Sequence, residues 1–277
     1  MIQKSYEENK YGKLYLVPTP IGNLYDITFR ALDILKEVDI IYAEDTRETL
    51  NLIKNYNISK KIESCHKYSE MKHKSKIINI LKSGKNIAYV TDRGTPLISD
   101  PGNIIVEEAI KEEIPVISLP GANALLPAIN MSGLSNEKFL FYGFLNSKKS
   151  IAKKELIELK NEKNTIVFYE SPFRIKETIN LLFEIFGNRK AAIVREISKL
   201  HEEVIRDNLD LLINKCENIK GEIVIVVEGN NNKKIDENDY KKIINDYIKN
   251  GYSKRDAIKE VADKYNISKN KLYNEVK

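Results

Sequence analysis

The sequence is poor in the residues that build disulfides and metal sites, and it contains no long apolar run. Its two cysteines, Cys65 and Cys216, lie far apart, and its three histidines are scattered, so neither a disulfide framework nor a zinc site is predicted. No stretch approaches the roughly 18 consecutive apolar residues of a transmembrane helix. The first residues, MIQKSYEENK, are polar and lack the apolar middle of a signal peptide. We therefore expect a protein of the reducing cytoplasm, with no metal and no membrane partner.

Several motifs of common enzymes are also absent. The chain has neither the phosphate-binding pattern G-x-x-x-x-G-K-[ST] nor a G-x-G-x-x-G that opens the first helix, which argues against ATP and NAD(P) as cofactors. It has no G-x-S-x-G elbow and no convincing Ser-His-Asp set, which argues against a serine hydrolase. The histidines are expected on the surface.

Apolar, β-prone runs alternate with helical patterns along most of the chain, and its 277 residues are enough for two domains of ordinary size. This alternation predicts an α/β protein with mostly parallel or mixed sheets. We expect an N-terminal α/β domain over residues 1–136 and a C-terminal α/β domain over 137–230. The expected strands lie in KLYLV (13–17), DIIYAED (39–45), NIAYVTD (86–92), PVISL (115–119), KFLFYGFL (138–145), NTIVFYES (164–171), KAAIVREI (190–197) and GEIVIVVEG (221–229), and HEEVIRD (201–207) is expected to form a hairpin with the strand before it.

Residues 231–277 predict a small C-terminal helical module that resembles a helix-turn-helix. Most of the net charge of +5 lies there, because residues 233–277 contain 12 Lys or Arg and 8 Asp or Glu. Excess basic charge in a terminal module favours a polyanionic partner, although a solvated helical cap that only packs explains it almost as well. The candidate side chains of this module for binding nucleic acid are Lys254, Arg255, Lys269 and Lys271.

Four predicted strands of the first half end in segments rich in Gly, Pro and polar residues. Ligands bind at the carboxyl ends of the strands in parallel α/β sheets. Glycine lets the backbone approach a ligand closely, and proline fixes the shape of a loop. These segments therefore predict one ligand site at one edge of one sheet: PTPIGN (18–23), EDTR (44–47), TDRGTPLISDPG (91–102) and PGAN (120–123).

Several segments, in order along the chain, resemble the tetrapyrrole methylase superfamily, and within it the branch called rRNA small-subunit methyltransferase I. The resemblance implies two α/β domains that flank a cleft, the cofactor S-adenosylmethionine (SAM), and usually a homodimer. It implies 2′-O-ribose methylation of a cytidine in the decoding region of 16S rRNA in the 30S ribosomal subunit. The segments are LVPTPIGNLYDITFRAL, EDTR, GTPLISDPG, SLPGANALLPA, FYESPFRI, REISKLHEE and GEIVIVVEG.

The resemblance also assigns candidate residues to the cofactor and to the reaction. Methyl transfer from a sulfonium requires alignment of the attacking oxygen and an acceptor for its proton. An acid in the cleft can accept the proton, and arginines can hold RNA phosphate; each of these side chains can equally form an ion pair between the domains. The cofactor candidates are Pro18, Pro20, Asp92, Gly94, Thr95, Ile98, Asp100, Gly121, Asn123, Ala124, Tyr169 and Glu170, and the catalytic candidates are Asp45, Arg47, Arg174, Arg195 and Glu196.

The chain departs from the family pattern at two places. Arg93 stands beside the cofactor loop, where the family usually has a small residue. If it points out toward the cleft, it can hold RNA phosphate; if it points inward, it competes with the sulfonium for space. The second departure is SCHKYSEMKHK (64–74), in which Glu70 lacks the asparagine that usually precedes it.

Two further hypotheses remain open from the sequence. One is a small-molecule methyltransferase of the tetrapyrrole type on the same scaffold. The basic helical module would distinguish an RNA-modifying enzyme from this alternative. The other is a catalytically inactive rRNA-binding homologue, in which Arg93 occupies the cofactor space.

Overall fold

The computed structural model describes residues 2–4, 10–66, 70–231, 237–265, 268–269 and 272–273. The chain divides into two compact units, Met1–Asn230 and Asn231–Lys277. The first unit contains two five-stranded sheets. Within the described residues, no helix combines the length and apolar character that crossing a bilayer requires.

The first sheet is entirely parallel, with strand order β3-β2-β4-β1-β5. Its central strands are fully buried and consist of apolar and tyrosine side chains, as expected for a sheet covered on both faces. The carboxyl ends of its strands meet at one edge. The elements are β1 (Leu14–Leu16), α1 (Phe29–Glu37), β2 (Ile40–Ala43), α2 (Thr46–Asn55), β3 (Lys61–Ser64), α3 (Glu70–Lys82), β4 (Ile87–Val90), α4 (Asn103–Lys111) and β5 (Val116–Ser118).

The second sheet is mixed, with strand order β6-β7-β10-β8-β9. β6 and β7 are parallel, whereas β10 runs antiparallel to both β7 and β8. Ile223, the first residue of β10, therefore lies opposite Glu170 and Arg195, the last residues of β7 and β8. The elements are α5 (Leu125–Ser132), β6 (Phe139–Phe144), α6 (Lys149–Leu159), β7 (Thr165–Glu170), α7 (Ile175–Phe186), β8 (Lys190–Arg195), β9 (Glu203–Asn208), α8 (Leu209–Lys215) and β10 (Ile223–Val227).

The α/β fold class and the mixed character of the sheets are confirmed, and the predicted hairpin forms between β8 and β9. Strand β3 is not among the strands predicted from the sequence. Strand β3 is short and only partly buried, so its pattern does not stand out. Thr28 caps α1, because its Oγ1 accepts a 3.1 Å hydrogen bond from the amide of Ala31. The division of the first unit into domains 1–136 and 137–230 stays our interpretation of its two sheets.

The second unit contains α9 (Glu237–Lys249) and α10 (Lys254–Tyr265). Their shared core includes Ile244, Ala257, Ile258, Val261 and Leu272. Ser253 accepts a 3.1 Å hydrogen bond from the amide of Asp256 and so caps α10. Lys269, Leu272 and Tyr273 are helical, and the rest of the second helix of the predicted helix-turn-helix lies outside the described residues.

Candidate active site

A cavity of about 640 Å³ lies between the two sheets of the first unit. Its volume is within the roughly 300–1,000 Å³ typical of small-molecule sites. The walls come from strand-end loops of the first sheet, from the ends of β6, β7 and β8, and from the start of β10. The lining residues are Ile21, Glu44, Glu48, Thr91, Asp92, Arg93, Gly94, Thr95, Ile98, Ser99, Asp100, Asn123, Ala124, Phe144, Tyr169, Glu170, Ser171, Pro172, Ile197, Gly221, Glu222, Ile223 and Val224.

The loop after β4 is tied to its two neighbours. Gly94 and Thr19 exchange two backbone hydrogen bonds of 2.9 Å, and the Thr95 hydroxyl donates to the carbonyl of Ala122 at 3.0 Å. Gly94 has φ +83°, and a Cβ there would lie 3.3 Å from Cγ2 of Ile21. This position therefore requires glycine for both its backbone conformation and its close approach.

Two non-glycine residues of the same loop adopt left-handed conformations, Leu97 with φ 73° and Ser99 with φ 70°. Such conformations concentrate at ligand sites, where the surrounding structure enforces them. Ser99 approaches Gly143, at which a Cβ would lie 3.1 Å from the Ser99 Oγ. Gly143 follows a register shift in β6, so this irregularity makes room for the loop of the opposite sheet.

Three carboxylates give the cavity a negative wall. Asp92 accepts a 2.9 Å hydrogen bond from the amide of Asp45, and Glu44 accepts a longer one, 3.4 Å, from the Thr91 hydroxyl. Burial raises the pKa of Asp100 to about 6, against the opposing effect of a Thr91 hydrogen bond. Burial and the nearby charge of Asp92 also raise the pKa of Glu44. Raised pKa values of neighbouring acids are a property of ligand and catalytic sites, and the wall suits a cationic ligand.

An aromatic group forms the wall on the side of the second sheet. The Tyr169 ring packs edge-on against Phe141 and Phe144, with centroid separations of 4.9 and 5.6 Å. Burial raises the pKa of Tyr169 to about 12, so its hydroxyl stays protonated at neutral pH. The neighbouring Glu170 is buried and accepts a hydrogen bond from the Thr178 hydroxyl at 2.5 Å, which fixes its carboxylate.

Nine of the twelve predicted cofactor residues line the cavity: Asp92, Gly94, Thr95, Ile98, Asp100, Asn123, Ala124, Tyr169 and Glu170. Pro18, Pro20 and Gly121 do not. Gly121 packs against Pro18, since a Cβ on Gly121 would lie 2.6 Å from Cβ of Pro18. The close packing of these two residues shapes the loops behind the lining. Whether any of the twelve binds a cofactor stays a prediction.

None of the five predicted catalytic residues lines the cavity. Asp45 caps α2 by accepting from the amide of Arg47 at 2.8 Å, and the Arg47 guanidinium binds its other oxygen at 2.6 Å. These hydrogen bonds lower the pKa of Asp45 to about 2. Arg174 donates to the carbonyl of Leu145 at 3.2 Å and to that of Asn146 at 3.0 Å.

The remaining two candidates, Arg195 and Glu196, lie at the end of β8. Arg195 pairs with Glu203 at 2.5 Å, within the β8–β9 hairpin. Glu196 accepts from Lys199 Nζ at 2.8 Å and from the amide of Glu222 at 3.0 Å. Their catalytic roles stay predictions. Three acids that line the cavity were not among the predicted site residues: Glu44, Glu48 and Glu222.

Arg93 reaches across the cleft between the sheets. Its Nη1 lies 2.5 Å from Oε1 of Glu222, whose other oxygen accepts from Lys199 Nζ at 2.9 Å. About half of the Arg93 side chain is exposed, and the residue lines the cavity. The arginine beside the predicted cofactor loop thus pairs with an acid of the second sheet.

The remaining candidate residues are Glu70 and the basic residues of the second unit. Glu70 is buried and accepts from the amides of Ile104 and Ile105 at 2.8 and 3.3 Å, so it caps the N-terminus of α4. In the second unit, Lys254 and Arg255 are exposed at the start of α10, and Lys269 is also exposed. Lys271 lies outside the described residues.

The fold and the cavity define an α/β protein whose ligand site is formed by strand-end loops of two sheets. The family model described as Tetrapyrrole (Corrin/Porphyrin) Methylases matches residues 13–212. The chain belongs to this family.

Relatives match from about four fifths of the chain to nearly all of it. It is 46% identical to Ribosomal RNA small subunit methyltransferase I of Bacillus subtilis (strain 168), over 95% of this chain and 93% of that protein. It is also 46% identical to the Thermotoga maritima protein of the same name, over 79% of this chain and 99% of that protein. About a fifth of this chain therefore has no counterpart in the latter relative.

Solved structures share the fold at low sequence identity. Uroporphyrin-III C-methyl transferase from Thermus thermophilus, complexed with S-adenyl homocysteine, matches with a TM-score of 0.57 at 18% identity, over 78% of this chain and 97% of that one. A diphthine synthase matches with a TM-score of 0.60 at 15% identity, over 78% and 90% of the two chains. These likenesses support the fold.

Proposed function

We propose that this protein is a SAM-dependent methyltransferase that acts on 16S rRNA in the 30S ribosomal subunit, at the ribose 2′-oxygen of a cytidine in the decoding region. The single observation that carries the proposal is the cavity between the sheets, whose walls include most of the TDRGTPLISDPG loop. The family supports methyl transfer, and the names of relatives at up to 46% identity support the RNA substrate.

The residues of the cavity fit SAM in size and chemistry. When bound, SAM supplies a methyl group on a positively charged sulfur. The carboxylates of Glu44, Asp92 and Asp100 would face its positive charges, while Ile21 and Ile98 offer apolar contact for an adenine. Gly94 lets the backbone approach the ligand closely, and its two hydrogen bonds to Thr19 hold the loop in place.

The attacking hydroxyl needs a proton acceptor, and we propose Glu44 or Asp100 for this role. Both line the cavity, and both have a raised pKa, which makes a carboxylate a stronger base. Asp45 is a weaker base because its pKa is about 2. Glu196 stays a catalytic candidate, and Arg47, Arg174 and Arg195 stay candidates for holding RNA phosphate near the cleft.

The RNA-binding role of the second unit also belongs to this proposal. Its candidates are Lys254, Arg255, Lys269 and Lys271, and their cations would bind phosphate. The resemblance to the family further implies a homodimer, and a ribosomal substrate implies a cytoplasmic protein. We retain both as parts of the proposal.

The proposal is tested with labelled SAM and two substrates, unmethylated 30S subunits and a tetrapyrrole such as uroporphyrinogen III. We expect label in 16S rRNA, found as 2′-O-methylcytidine after nuclease digestion and mass spectrometry, and none in the tetrapyrrole. Label on a base or on the tetrapyrrole would contradict the proposed reaction. Calorimetry with SAM tests the alternative of a catalytically inactive homologue, because such a protein would show no saturable binding of SAM in a folded sample.

A further inference from the structure

Two cations share one carboxylate at the rim of the cavity. Arg93 approaches Glu222 Oε1 at 2.5 Å and Lys199 approaches Glu222 Oε2 at 2.9 Å. Arg93 follows β4 of the first sheet, whereas Glu222 immediately precedes β10 of the second. Lys199 follows β8 of the second sheet, so the two cations come from different sheets and meet at a single carboxylate.

Lys199 is positioned independently of that carboxylate. The stem of Lys199 packs on Gly22, where a Cβ would lie 2.4 Å from the lysine Cγ. Lys199 Nζ also binds Glu196 Oε1 at 2.8 Å. Removal of the Glu222 carboxylate would therefore leave Lys199 in place, and the Arg93, Lys199 and Glu196 group would carry a net positive charge.

The Glu222 carboxylate is accessible and weakly held. The Glu222 side chain is 57% exposed and that of Arg93 is 52% exposed. Ion pairs with this exposure contribute little to stability, because water screens them. A second anion that reaches the rim can therefore replace the carboxylate at small cost. Phosphate is such an anion, since the guanidinium fork binds it through two parallel hydrogen bonds.

We propose that Arg93 and Lys199 form a binding site for a backbone phosphate of the RNA substrate, and that Glu222 occupies this site until the phosphate displaces its carboxylate. The inference rests on the proposed RNA substrate. A ribose that enters the cavity brings its flanking phosphates to the rim, where Arg93 and Glu222 lie. Phosphate contacts of this kind fix the register of a nucleic acid on a protein.

The test compares Arg93→Ala with Glu222→Gln in the full-length protein, with 30S subunits as the probe. We expect Arg93→Ala to raise KM for 30S subunits about tenfold and to reduce the salt dependence of binding by about one unit of slope. We expect Glu222→Gln to lower KM by up to about fivefold, because the phosphate no longer competes with a carboxylate. The two substitutions thus act in opposite directions on the same ion pair.

The control is Glu184→Gln, which makes the same change of charge in the Lys153–Glu184 pair of α6 and α7. That pair has a similar exposure, 46% and 55%, and neither residue lines the cavity. Glu184→Gln should leave KM unchanged. Calorimetry with SAM confirms that each variant is folded and retains the cofactor site.

A different pattern overturns the inference. If the pair only holds the two sheets together, both rim substitutions will raise KM or weaken SAM binding. An equal decrease of KM with Glu184→Gln would show a general charge effect. If the wild-type protein binds SAM but neither binds nor methylates 30S subunits, the proposed function itself fails, and this inference fails with it.

Discussion

Gly94 is expected to be the residue at which one added methyl group disturbs both the fold and the cofactor site. Its φ is +83°, and a Cβ would lie 3.3 Å from Ile21 Cγ2 and 3.7 Å from the carbonyl oxygen of Ala122. An alanine in the left-handed region costs about 1–2 kcal/mol. The contact with Ile21 adds an overpacking cost of about 1 kcal/mol, at the low end of the usual range.

Gly84 is a matched control, because it isolates the cost of the backbone conformation. Its φ is +88°, and a Cβ there would meet nothing within 4 Å. We expect Gly84→Ala and Gly94→Ala both to lower the free energy of unfolding, with Gly94→Ala about 1 kcal/mol the more destabilising. Only Gly94→Ala should move Ile21, a residue of the cavity wall.

The assay is calorimetric titration with SAM, next to chemical denaturation of each variant. We expect Gly94→Ala to raise the Kd for SAM about tenfold, which corresponds to about 1.4 kcal/mol, and Gly84→Ala to leave it unchanged. SAM binding of wild-type strength in Gly94→Ala would refute the argument that this loop encloses the cofactor. Equal weakening in both variants would show that general destabilisation is the cause.

Three further predictions follow from the site and the two units. The pKa of Asp100 is raised above its unfolded value to about 6. The burial of Asp100 therefore lowers the free energy of unfolding, and this loss increases as the pH rises from about 4 to 6. Asp100→Asn should therefore stabilise the protein at pH 7 more than at pH 4.5. Equal stabilisation at the two pH values in chemical denaturation would contradict the raised pKa of Asp100. Glu70→Ala removes the cap of α4 and should lower the free energy of unfolding by about 1–2 kcal/mol, whereas Glu107→Ala on the exposed side of the same helix should change it little. Removal of residues 231–277 should leave the Kd for SAM unchanged, because the cavity lies within Met1–Asn230, while KM for 30S subunits rises. An unchanged KM in the truncated protein would contradict RNA binding by the second unit.

Much of the fold was predictable because strands buried on both faces leave continuous apolar runs in the sequence. The segments NIAYVTD and GEIVIVVEG are such runs, and they form the central strands β4 and β10. Edge strand β3, with the sequence KIES, has no such run because it is only partly buried. Most of the predicted cofactor residues line the cavity, since they follow parallel strands whose carboxyl ends meet at one edge.

The acids of the cavity were harder to predict from local sequence. Glu44 and Asp45 are neighbours in the EDTR segment, but Asp45 caps α2 while Glu44 faces the cavity. An acid directly before a helix is a signature of an N-cap, so the capping role of Asp45 could have been predicted from the sequence. Glu222 reaches the cleft only because β10 runs antiparallel to β7 and β8, and that direction follows from tertiary pairing.

The position of β10 in the middle of the second sheet also has a consequence for the order of folding during synthesis. The first sheet contains only residues up to Ser118, and all its strands are parallel. The second sheet cannot close until β10, its middle strand, inserts between β7 and β8, which precede it in the chain. N-terminal regions fold first during synthesis. The nascent chain is therefore expected to acquire its ligand cavity only after Val227 has emerged, well after the first sheet is complete.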